Sequence, residues 1–100
     1  MFGTIGHAHV KAGHEADLTK LLDSWKTDIR PKIDGHVFEL AGHSANDPGE
    51  MVFVALVKDE ATYRKLAKMP EQDAWFRKMS SHLDGDVRWD DVELDITMND

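Results

Sequence analysis

The chain has 100 residues, 41% hydrophobic and 31% charged, the size and make-up of one globular domain with a single core. Its 12 Lys and Arg against 19 Asp and Glu give a formal charge of −7, a balance that repels a nucleic-acid backbone. With no Cys there is no disulfide framework, thiolate nucleophile or Cys-ligated metal, and no apolar run approaches the roughly 18 residues that cross a bilayer.

The expectation is therefore one cytoplasmic domain over residues 1–100, with no nucleic-acid or membrane partner. Residues 2–11 alternate loosely, with Phe2, Thr4, Gly6, Ala8 and Val10 on one side and Ile5, His7, His9 and Lys11 on the other, which predicts a first strand. Gly13 ends it, and Leu18, Leu21, Leu22, Trp25 and Ile29 follow at the spacing of an amphipathic helix that Pro31 must terminate. Asp34-Gly35 turns the chain into a second strand, residues 36–43, with Phe38 and Leu40 on one face. Asn46-Asp47-Pro48-Gly49 has the composition of a turn, and the apolar run 51–57 that follows predicts a central strand paired antiparallel with the second. Asp59 is placed to cap a short helix carrying Ala61, Tyr63, Leu66 and Ala67, and Pro70 restarts a helix whose apolar stripe runs through Gln72, Trp75, Phe76, Met79 and Leu83. Gly85 is expected as its C-terminal cap, residues 87–97 as the last strand, and the final three residues as a frayed end.

The order β-α-β-β-α-β predicts an α+β, ferredoxin-like domain: a four-stranded antiparallel sheet with helices on one face. With Gly6 and Ala8 beneath the helices, the other face carries Ile5, His7, His9, Val52, Val54 and Leu56. Such a face is too apolar for water, and a homodimer with two sheets packed face to face is the simplest way to cover it.

Four features follow one another along almost the whole chain. Val10-Lys11-Ala12-Gly13 precedes Glu15, Pro48-Gly49 marks a hairpin, the strand 52–57 runs into Lys58-Asp59-Glu60-Ala61-Thr62-Tyr63, and Pro70-Glu71-Gln72-Asp73-Ala74-Trp75-Phe76-Arg77 opens the last helix. In order and spacing these resemble the antibiotic biosynthesis monooxygenase family of dimeric α+β barrel proteins. The resemblance implies the ferredoxin-like fold and the dimer, and points to several activities. Haem-degrading members place an Asn, a Trp and a His at positions falling near Gly6, Leu66 and Arg77, and none of the three matches here. The resemblance then implies a cofactor-independent oxygenase of a small aromatic quinol or phenol, needing neither cofactor nor metal. The alternative is a non-catalytic barrel that binds a small apolar ligand. Some of these oxygenases carry a Trp where this chain has Leu66.

Such an oxygenase needs a flat apolar pocket, a base for a phenolic or acidic C–H proton, and donors for the anion that reduces oxygen. His7 and His9 leave one face of their strand about 7 Å apart and have three readings: polar members of the dimer interface, a catalytic base, or half of a metal site that lacks a third ligand. Tyr63 is the single Tyr and the natural donor to a substrate oxygen. Phe38, Phe53, Leu66 and Trp75 are candidate pocket walls, the aromatic three also readable as core packing, and Arg77 is placed to hold an anion at the mouth or to remain a solvated charge. His14 and His82 read as solvent-exposed, and the acidic residues from Asp84 to Asp95 as a charged, solvated edge strand.

Overall fold

The computed structural model describes residues 1–96 and 98. The elements run β1 (Phe2–Val10), α1 (Glu15–Asp28), a 3₁₀ turn (Arg30–Lys32), β2 (Val37–Ser44), β3 (Asp47–Val57), α2 (Glu60–Ala67), α3 (Pro70–Ser80) and β4 (Leu83–Glu93). All strand pairs are antiparallel, in the sheet order β2-β3-β1-β4, which is the ferredoxin-like arrangement. No helix among the described residues is long and apolar enough to cross a membrane.

The helices cover one face. Leu18 of α1 and Met79 of α3 bury against Ala8, Met51 and Leu83, and Trp25, Ile29 and Ile33 bury against Val57. The indole N–H of Trp25 donates to Gln72 Oε1 at 2.9 Å, which ties α1 to α3 and satisfies a polar atom that burial would otherwise strand. Asp59 caps α2 as expected, accepting from the Thr62 backbone N–H at 2.8 Å.

The strand boundaries depart from the sequence reading at two places. The turn joining β2 to β3 is Ala45-Asn46, and Asp47-Pro48-Gly49 belongs to β3. Pro48 has no N–H for the ladder and lies in an irregularity where the register jumps from Ser44↔Asp47 to His43↔Met51, while Asp47 Oδ1 accepts from the Gly49 N–H at 3.0 Å. Gly85 likewise does not cap a helix. The C-cap of α3 is Ser81, Leu83 already belongs to β4, and Gly85, with φ of +79°, takes the left-handed conformation inside a bulge between the pairs His7↔Arg88 and His9↔Asp84. β4 ends at Glu93. Thr97, expected in that strand, and Asn99 and Asp100, expected to fray, lie outside the described residues.

The face away from the helices carries Ile5, His7 and His9 of β1 together with Val52, Val54 and Leu56 of β3, as expected from parity. The β2 register adds Phe38 opposite Leu56 and Leu40 opposite Val54, and these edge residues are 47% and 61% exposed. Phe38 therefore belongs to this open face and not to a pocket beneath the helices.

On the covered face, Gly6 pairs with Phe53 on one side and Trp89 on the other, and the two rings meet edge to face at 5.4 Å across the position where Gly6 has no side chain. A Cβ built on Gly6 would stand 2.2 Å from the Phe53 ring. Gly6→Val is expected to destabilise the chain by about 1–3 kcal/mol through overpacking, lowering Tm by several degrees in a thermal unfolding experiment followed by circular dichroism.

Candidate functional site

Between sheet and helices lies a cavity of about 950 Å³, with the small Ala55 in its floor. It reaches from the edge at β2, where Glu39, Ala41 and His43 face α1, to the edge at β4, where Trp89 and Asp91 face α2 and α3. Its apolar wall is Phe53, Trp75, Phe76, Leu66 and Met51. A cavity of this size with a few polar groups suits a flat ligand of several fused rings.

Trp75 is fixed by its indole N–H, which donates to the Leu21 carbonyl at 3.2 Å and to Ser24 Oγ at 3.3 Å, so its ring is a rigid part of the wall. Phe76 packs on Trp89 with ring centroids 5.4 Å apart, and Trp89, though on an edge strand and 44% exposed, closes this end of the aromatic wall.

Three polar groups face the cavity with a recognisable chemistry. Tyr63 of α2 donates its hydroxyl to Asp91 Oδ1 at 3.1 Å. Partial burial, followed by the hydrogen bond and negative charge of Asp91, raises its phenol above the ordinary 10.0, so it stays protonated and a donor through the neutral range. Thr4, buried on β1, donates to the Asp90 carbonyl at 3.2 Å beside this pair. On the opposite rim, partial desolvation raises the Glu39 carboxyl above 4.5 although much of the residue is open to solvent, and the Lys26 ammonium pulls it back.

The expected site residues divide. Tyr63, Phe53, Leu66 and Trp75 line the cavity, whereas Phe38, His7, His9 and Arg77 do not. His7 and His9 project from the open face, where His7 Nδ1 lies 3.4 Å from Glu50 Oε1, and the whole sheet separates them from the cavity. Neither can serve as a base there. Arg77 follows Trp75 by two residues, about 200° around the helix, and its exposed guanidinium pairs with Asp73 at 3.0 Å. His14 and His82, expected in solvent, instead meet at 3.0 Å between their Nδ1 atoms, half-buried where α1 begins and α3 ends. Among the described residues no group of three or more His, Asp or Glu is gathered as a metal site.

Glu39, Asp91 and Trp89 are among the cavity residues that the sequence reading missed. The alternation Phe38, Glu39, Leu40 does separate Glu39 from its neighbours, but the natural assumption turns the apolar pair toward the helices. In β2 the apolar pair faces the open side, and the carboxylate faces the cavity.

No protein-family model matches the chain, and no curated protein matches its sequence. Solved structures do share its fold. A candidate antibiotic biosynthesis monooxygenase from Deinococcus radiodurans superposes with a TM-score of 0.80 at 18% identity, covering 99% of this chain and 97% of that one. One from Caulobacter crescentus gives 0.82 at 12% identity, over 95% and 90%. A mutant of SnoaB, a cofactor-independent oxygenase from Streptomyces nogalater, gives 0.81 at 10% identity, over 99% and 97%. At such identities the likeness establishes the fold, and the ferredoxin-like α+β architecture is the one that the sequence predicts.

Because Tyr63 is the only Tyr, tyrosinate absorbance in an alkaline titration follows this one phenol. Its midpoint is expected above 10.0, and Asp91→Asn should move it down, because the hydrogen bond and charge of Asp91 both raise it.

Proposed function

We propose that the chain is a cofactor-independent monooxygenase that acts on a small aromatic quinol or phenol in the cavity beneath the helices. The observation that carries this reading is the pairing, across one aromatic-walled cavity, of a carboxyl group with raised proton affinity, Glu39, and a phenol held protonated, Tyr63. A carboxylate gains strength as a base when its proton affinity rises, and a donor must keep its proton at the working pH. The fold shared with SnoaB supports the same reaction class.

In this reading the ring lies against Trp75 and Phe53. Glu39 takes the phenolic proton at one rim, and Tyr63, at the other, donates to the O₂-derived oxygen as charge passes to it. The electron-rich anion gives one electron to O₂, the radical pair joins in a new C–O bond at a ring carbon bearing hydrogen, and the O–O bond then breaks as that hydrogen leaves as a proton. A phenol with a free para C–H becomes a para-quinone, one oxygen atom being retained and the other leaving as water. Substrate and O₂ balance without another reductant.

The open sheet face supports a homodimer. Phe38 and Leu40 extend the apolar strip of Ile5, Val52, Val54 and Leu56, while His7 and Glu50 pair at its margin. His7 and His9 are in this reading interface residues. In multi-angle light scattering the protein is expected at twice the 11.3 kDa chain mass, and Leu40→Asp with Val54→Asp should return it to one.

The activity is tested by oxygen uptake over a panel of naphthalenediols and anthrols. Turnover by the protein with no added cofactor, falling by about 100-fold or more in Glu39→Gln at little change in KM, is the expected result. Saturable binding of the same compounds without oxygen uptake would replace the oxygenase with a non-catalytic binding protein.

A further inference from the structure

Thr4, Trp25, Tyr63, Gln72 and Trp75 are the buried or half-buried residues of the cavity lining whose side chains carry an N–H or O–H donor. All but Gln72 direct it to a protein acceptor. Thr4 donates to the Asp90 carbonyl at 3.2 Å, Tyr63 to Asp91 Oδ1 at 3.1 Å, Trp75 to the Leu21 carbonyl at 3.2 Å and Trp25 to Gln72 Oε1 at 2.9 Å. An indole N–H can only donate, so the Trp25 contact fixes how the Gln72 carboxamide is turned: Oε1 toward Trp25, and the two N–H bonds of Nε2 away from it. That NH₂ group has no acceptor among the described residues. Every buried side-chain N or O there has a partner, so the NH₂ group is not sealed in the core but open to the space around it.

A ligand that fills the cavity displaces water from this group. An oxygen acceptor on the ligand replaces that water, whereas a hydrocarbon edge leaves two donors stranded. The carboxamide is also preorganised, because Trp25, which orients it, is 4% exposed and packed against Ile29, Ile33 and Val57. We propose that Gln72 is a specificity-determining residue whose NH₂ group donates to a neutral oxygen acceptor on the ligand, separate from the hydroxyl that ionises at Glu39. This rests on the cavity being the ligand site, as proposed above, and it narrows the aromatic ligands to those bearing a second oxygen. Tyr63 turns to a ligand only by leaving Asp91, whereas the Gln72 donors stand ready before one arrives.

Equilibrium dialysis with 9-fluorenone and fluorene, flat probes of the same ring system that differ by C=O against CH₂, tests the assignment. Neither carries a hydroxyl, so the result is independent of any oxygenase activity. Fluorenone is expected to bind about 10-fold tighter than fluorene. Gln72→Glu keeps an oxygen for the Trp25 N–H while its carboxylate has no donor, and Gln72→Met removes donor and acceptor together. In both variants the two probes should bind within about 2-fold of one another. The C=O stretch of bound fluorenone, lowered by the hydrogen bond in the unsubstituted protein, should rise in both. Equal binding of the probes by the unsubstituted protein, a fluorenone preference that survives both substitutions, or a C=O stretch that neither moves would overturn the role of Gln72 and leave the cavity as a ligand site. Failure of both probes to bind would overturn the cavity reading itself, and the role of Gln72 with it.

Discussion

The structure turns on one absent side chain. Gly6 occupies the middle of a central strand, paired on one side with Phe53 and on the other with Trp89, and the two rings close over it edge to face. Any Cβ at that point would enter the Phe53 ring. A strand glycine ordinarily weakens a sheet, and here the loss is offset by aromatic packing drawn from both neighbouring strands. The same packing sets the floor of the cavity, with Phe76 packed at a tilt against Trp89 and Trp75 fixed to α1 through Leu21 and Ser24.

The sheet separates two tasks by residue parity. On β1 the even positions, Phe2 to Val10, lie beneath the helices, and the odd ones, with His7 and His9, face away. Alternation carries through β3, where Met51, Phe53 and Val57 serve the core and Val52, Val54 and Leu56 the open face. A histidine on the open face cannot reach chemistry under the helices, however suitable its proton affinity. Bulges at Gly85 and at Pro48 interrupt the pairing of both outer strands near one end of the sheet.

The polar groups of the cavity are few, and they differ in character from end to end. At β4 the Tyr63 hydroxyl, Asp91 and Arg64 form a satisfied group in which each charge has a partner, and Arg64 also lies 5.5 Å from the ring centres of Phe2 and Tyr63. At β2 the Glu39 carboxyl is partly desolvated and has the Lys26 ammonium as its opposing charge.

How much was legible in the sequence follows from the range of each interaction. The amphipathic spacing of Leu18, Leu22 and Trp25, the Asp59 cap and the Pro70 restart are local, and each lies where the residues alone put it. Element order then determined the ferredoxin-like fold, and alternation on β1 determined that Gly6 and Ala8 lie beneath the helices. Gly85 and Pro48 misled, because a glycine or proline near an element end signals a turn equally well whether it caps a helix or interrupts a strand. Only the tertiary structure decided that Phe38 faces outward and Glu39 inward, that Arg77 turns to Asp73, and that His14 meets His82 across 68 residues of chain. Those facts depend on which neighbour an edge strand or a helix end finds in space, and residue periodicity carries the alternation of faces but not which face the rest of the molecule covers.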